Sequence, residues 1–118
     1  MKVIDLDILR PEPDIVKIGG REIDVSFVPC GITFELDEIV RQLVGIDGKK
    51  LKDDKPEQLK AFNLGIRLCA VFCQHNHPEM GEQWFRSNAS SQQITAFAQA
   101  IQAALGKSYE GVVAHAKN

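Results

Sequence analysis

Between Pro56 and Gln74 a run of apolar residues recurs at helical spacing: Leu59, Phe62, Ile66, Cys69 and Cys73 fall on one stripe, and Leu64, Leu68 and Phe72 widen it. A helix apolar over so wide a face has to be covered on several sides, so the rest of the chain must supply the cover. Pro56 suits the first turn of that helix, and the His75-Asn76-His77-Pro78 segment ends it. The most apolar part, Leu64 to Cys73, is interrupted by Arg67 and is far shorter than the roughly 20 residues a membrane span requires. It is expected to be the buried central helix of a soluble domain.

The cover is legible on both sides of it. Ile23, Val25 and Phe27 alternate with Glu22, Asp24 and Ser26, and a β-branched run from Asp14 to Ile18 precedes them across Gly19-Gly20. Two glycines accept the positive φ of a type I′ turn, so the pattern predicts a β-hairpin. Val3 to Leu9 also alternates, with Ile4, Leu6 and Ile8 against Asp5 and Asp7, and predicts a further strand that Pro11 and Pro13 end. Leu36, Ile39, Val40, Leu43 and Val44 predict an amphipathic helix from Thr33, as N-cap, to Val44, with Glu35, Asp37 and Glu38 near its positive end and Gly45 as its stop. Gly45 to Lys55, mixed in charge with Leu51 as its one buried-looking side chain, is expected to be a solvated loop. Pro78 is expected to open a short helix through Glu79, Trp84 and Phe85. Ser90 or Ser91 caps a last helix whose buried face carries Ile94, Phe97, Ala98, Ile101, Ala104 and Leu105, with Gly106 as its stop.

Strand patterns first and helical patterns after define an α+β domain: a small N-terminal antiparallel sheet over residues 1–30, a bundle of about four helices over 32–106, and a weakly patterned tail over 107–118 anchored only by Tyr109, Val112 and Val113. The expected core is Phe27, Leu36, Ile39, Leu43, Phe62, Ile66, Cys69, Phe72, Trp84, Phe97 and Ile101. With 118 residues the chain can form a core without staples. The 14 Lys and Arg against 16 Asp and Glu leave a net charge of −2 with no clustered basic face, which argues against nucleic acid as a partner. The amino terminus lacks the basic and apolar segments of a signal peptide, and the odd count of three cysteines fits a reduced, cytoplasmic protein.

Chemistry-bearing clusters are few. Cys69, Cys73, His75 and His77 are zinc-ligand types within reach of one another. Cys69 and Cys73 nevertheless stand on the apolar stripe, where free cysteine packs as a small hydrophobe, and their spacing is not that of a turn in which two sulfurs converge. Cys73 and His75, two apart on a helix, face different ways, so they do not form a nucleophile and base. Asp5 with Asp7, and Glu35 with Asp37 and Glu38, are spaced as a solvent face and a helix start. Neither catalysis, nor a cofactor, nor a resident metal is therefore expected. Trp84 and Phe85 are adjacent and cannot both face one core, so Met80, Trp84 or Phe85 is the candidate partner contact, with core packing as the alternative.

The layout as a whole resembles a known family. The hairpin V-K-I-G-G-R-E-I-D-V-S-F, the acidic helix start T-F-E-L-D-E-I, the helix I-R-L-C-A-V-F-C, the short W-F segment and the terminal I-T-A-F-A-Q-A-I-Q-A-A-L-G-K resemble, in order and length from about Val16 to Lys107, the tail assembly chaperones of long-tailed phages and prophages. The resemblance implies a binding protein that coats the long helical tape measure protein in the host cytoplasm during tail assembly, self-associates, and is absent from the finished virion. It also implies that a frameshifted longer form would diverge near the tail. Alternatives are a structural morphogenesis component, such as a tail completion or tube-associated protein, and a small zinc-binding domain on the Cys-His cluster. A chaperone of an apolar helix needs an exposed apolar groove on an acidic body.

Overall fold

The hairpin turns where expected. In the computed structural model, which describes residues 1–46 and 55–116 with side chains through Lys107, β1 (Ile15–Ile18) pairs antiparallel with β2 (Arg21–Asp24), Ile18 opposite Arg21 and Ile15 opposite Asp24. Gly19 and Gly20 connect them at φ +54° and +77°, a backbone region that L side chains rarely occupy. Ile18, Ile23 and Val25 turn inward and join the helical core.

Among the described residues four helices follow: α1 (Cys30–Val44), α2 (Lys55–Gln74), α3 (Glu82–Asn88) and α4 (Ser91–Ala116). The fold is thus α+β, a two-stranded antiparallel hairpin ahead of a helical bundle. Helix α2 is the centre, packed by α1, α3 and α4, and Leu64, Ile66, Leu68, Cys69, Ala70, Phe72 and Cys73 are all buried in it. A chain of edge-to-face rings ties the helices together: Trp84 to Phe85 at 5.0 Å between centroids, Phe85 to Phe97 at 6.1 Å, Phe97 to Phe72 at 6.4 Å. The first residue of α4 follows a reciprocal cap, in which Ser90 Oγ accepts from the Gln93 N–H (3.2 Å) and Gln93 Oε1 accepts from the Ser90 N–H (2.8 Å).

Four expectations need correction. Residues 3–9 form no strand: the Asp5 carboxylate accepts the Asp7 N–H at 3.0 Å and caps a 3-10 turn at Leu6–Leu9, leaving the segment exposed. Alternation makes a strand only where an edge is available to pair, and a local Asp-capped turn competes with it. Helix α1 begins at Cys30, not Thr33; Pro29 stands at the N-cap and the Thr33 hydroxyl donates back to the Pro29 carbonyl (3.2 Å), with Ile32 drawn onto the core. Pro78 does not open α3 but occupies a turn closed by the Met80 N–H to the His77 carbonyl (2.9 Å), and the helix starts after Gly81. Gly106 does not end α4, which runs on to Ala116. The loop containing Leu51 and the side chains of Tyr109, Val112 and Val113 lie outside the described residues.

Leu43, Phe62 and Trp84, expected in the core, are half-buried at its margin, and Phe27 is half-buried against Arg10 instead, while the other residues expected there are buried. Leu59, on the same stripe, is 59% exposed. Trp84 lies under the hairpin turn, where a Cβ at Gly19 would come within 2.7 Å of Trp84 Cη2, whereas one at Gly20 would meet nothing within 4 Å. Both substitutions to Ala carry the strain of positive φ, about 1 kcal/mol, but only Gly19→Ala also collides with a ring, that of Trp84, packed against the core. Urea unfolding is expected to show Gly19→Ala losing about 2 to 4 kcal/mol and Gly20→Ala about 1 kcal/mol; equal losses would mean that Trp84 does not press on the turn.

Candidate partner-binding groove

The Cys-His cluster does not assemble. Cys69 and Cys73 point into the core, with Cys69 Sγ 3.9 Å from the Ile94 carbonyl, while His75 is exposed and His77 half-buried beyond the end of α2. Among the described residues no group of three or more His, Cys, Asp or Glu side chains converges as a metal ion requires. Burial raises the Cys69 thiol far above its ordinary range, with Cys73 adding to it, and pushes Cys73 up to about 12, so both thiols are neutral where zinc would need thiolates. The helix end is closed instead by the main chain, the His77 N–H donating to the Cys73 carbonyl at 2.8 Å.

Met80 and Phe85 are fully buried and Trp84 is half-buried against the hairpin. Met80 and Phe85 therefore offer no surface to a partner in this conformation. Phe85 takes the inward position because its ring continues the aromatic chain to Phe97, which leaves Trp84 to pack under Gly19.

Surface that could take a partner lies on the helices. A groove of about 410 Å³ opens along α2 and α4, roofed at one end by Leu43 of α1. Ala61, Phe62, Gly65, Ile94 and Ala98 form its floor, and Gln58, Thr95, Gln99 and Gln102 its rim, so among the described residues no ionised side chain lines it. Gly65 keeps that floor open, and a Cβ there would stand in ordinary contact with Ile94 Cγ2 at 3.5 Å. The groove arises from local sequence. Alanines and one glycine on facing turns of two long helices leave a hollow where larger residues would interlock.

A second exposed apolar feature was hidden by the alternation of the first residues. Val3, Ile4, Leu6, Ile8 and Leu9 are between 63% and 78% exposed on an arm that leaves the domain at Arg10. The base of the arm is fixed: the Arg10 guanidinium lies 4.1 Å from the Phe27 ring centroid, and Asp24 Oδ1 accepts from the Asp14 N–H, the Ser26 N–H and the Ser26 hydroxyl. Partial burial opposes ionisation of Asp24, yet those hydrogen bonds hold its carboxyl below the ordinary carboxylate range. Phe34 on α1 is 86% exposed, beyond what the periodicity of that helix foretold.

No protein family, no curated protein and no solved structure matches the chain. No described helix is long and apolar enough to cross a membrane.

The buried thiols set a pH dependence. Their folded pKa values lie above the ordinary value of 9.0, so above that pH the unfolded chain releases protons that the folded chain keeps. Stability is then complete below the ordinary value and falls as pH rises toward about 12. Urea titrations are expected to show a loss of roughly 1 to 2 kcal/mol per thiol at about pH 10, with Cys69→Ala removing its share of the slope. A flat profile would mean that the thiols ionise inside the fold.

Proposed function

We propose that the chain is a tail assembly chaperone of a long-tailed phage or prophage, a non-enzymatic protein that binds the apolar face of the helical tape measure protein and self-associates around it in the host cytoplasm. The observation that supports helix binding is the groove between α2 and α4, whose described lining carries no charge: an apolar floor with a polar rim receives a row of apolar side chains at helical spacing and leaves polar flanks to hydrogen-bond. The phage-specific part rests on the resemblance of the hairpin and helix layout described above. The acidic balance of the chain keeps the loaded protein soluble.

Co-expression with the long helical product of the neighbouring reading frame tests the proposal. The long protein is expected to stay soluble only in the presence of this chain and to carry many copies of it, measured by affinity capture and the mass of the complex. A long protein that aggregates regardless would contradict it. Thr95→Arg with Gln99→Arg, both on the exposed rim, should abolish capture without changing the melting temperature.

Gly65→Ala separates stability from binding. Replacing an interior helical glycine whose new Cβ has room is expected to stabilise the fold by about 0.5 to 1 kcal/mol, while the added methyl shallows the groove and weakens capture. Thermal melts alongside pull-down titrations check both directions; unchanged capture would place the client elsewhere.

A further inference from the structure

Beyond Leu9, which borders a cavity with Val25 and Ala104, the exposed arm has no cover among the described residues of its own copy. Its apolar side chains stand in solvent, and its acids, Asp5 and Asp7, form no ion pair among the described residues. A surface of matching character lies on α2. There Leu59, 59% exposed, and Pro56 sit in an open groove of about 700 Å³ beside Lys60 and Arg67, which outnumber its one described acid, Glu82, and have no ion-pair partner among the described residues. The acids Asp5 and Asp7 on the arm match the bases Lys60 and Arg67 on the helix, and Lys2 on the arm matches Glu82 in the groove.

The arm's anchor faces away from that groove. Arg10, with Phe72 and Cys73 of α2, lines a separate cavity near the end of the helix. Phe72 lies about two and a half turns beyond Asn63, so the two project from opposite sides of α2, and Asn63 lines the basic groove. The 3-10 turn at Leu6–Leu9 sets Leu6 and Leu9 on one edge, since side chains three apart eclipse in that helix.

The geometry points to the N-terminal arm of one copy docking into the Leu59 groove of a second copy, with Leu6 and Leu9 against Leu59 and with Asp5 and Asp7 against Lys60 and Arg67. This deepens the self-association proposed above and depends on it, but it is independent of where the helical client binds.

Charge exchange in the full-length chain tests it. One variant carries Asp7→Lys with Asp5→Asn, whose amide oxygen can still cap the turn, and the other carries Lys60→Glu and Arg67→Glu. All four side chains are exposed, so both variants should keep the wild-type melting profile. Sedimentation equilibrium should show wild-type self-association weakened at least about tenfold in each variant alone. An equimolar mixture should recover wild-type affinity as a pair of unlike chains, because each arm then meets a groove of opposite charge. Either variant associating as strongly as wild type, or a mixture no stronger than its parts, would overturn the arm contact while leaving self-association by another surface. A wild-type chain that stays monomeric would overturn both the contact and the self-association, and client capture, measured on the same preparations, would stand or fall separately.

Discussion

Burial of α2 between Leu64 and Cys73 is the constraint on which the rest of the structure depends. Ile66, Leu68, Cys69 and Cys73 are all but inaccessible, and each large apolar side chain so covered contributes roughly 1.5 to 3 kcal/mol relative to exposure. No single neighbour could shield a helix on that many sides. Helix α1 takes one flank, α4 another, α3 a third, and the inward side chains of the hairpin complete the shared core. The edge-to-face series from Trp84 to Phe72 fixes how α3 and α4 seat against α2, and the contact of Trp84 with Gly19 carries that order into the hairpin turn.

The same arrangement leaves apolar surface unused. Once α1 and α4 have closed on α2, the small residues Ala61, Gly65 and Ala98 leave a hollow, and on the outside of the helix Leu59 lies bare beside Lys60 and Arg67. The arm adds more, since its Asp-capped turn spends its backbone hydrogen bonds locally and joins no sheet. The described residues thus combine a closed core with an apolar groove and an exposed apolar arm, the two surfaces on which the proposed binding rests.

The hairpin and the central helix were legible in the sequence because each depends on local signals that nothing distant opposes: glycines able to take positive φ between two alternating runs, and apolar residues at helical spacing bounded by Pro56 and His75. The first residues misled because alternation records a possible buried face but not whether a partner strand exists. The true start of α1 was obscured by Gly31, a poor helix residue outweighed by packing of Ile32, and the run of α4 past Gly106 shows the same weakness of single-glycine stops inside a long helix. Of the candidate contacts, Met80 and Phe85 proved to be core. Adjacent aromatics reveal that one must turn away, but only the neighbouring rings decide which. The surplus apolar face of the helix carrying Phe62 to Phe72 and of the last helix was legible, but the outline of the groove was not, because it is a property of two helices far apart in the chain, Phe62 on one and Ala98 on the other.

The most direct measurement is amide chemical-shift mapping of the labelled protein titrated with a synthetic amphipathic helix drawn from the tape measure protein. Perturbations confined to Leu43, Phe62, Gly65 and the Ile94 to Gln102 face of α4 are the predicted result. Perturbations elsewhere, or none at saturating peptide, would contradict a helix-binding groove and with it the function proposed for the chain.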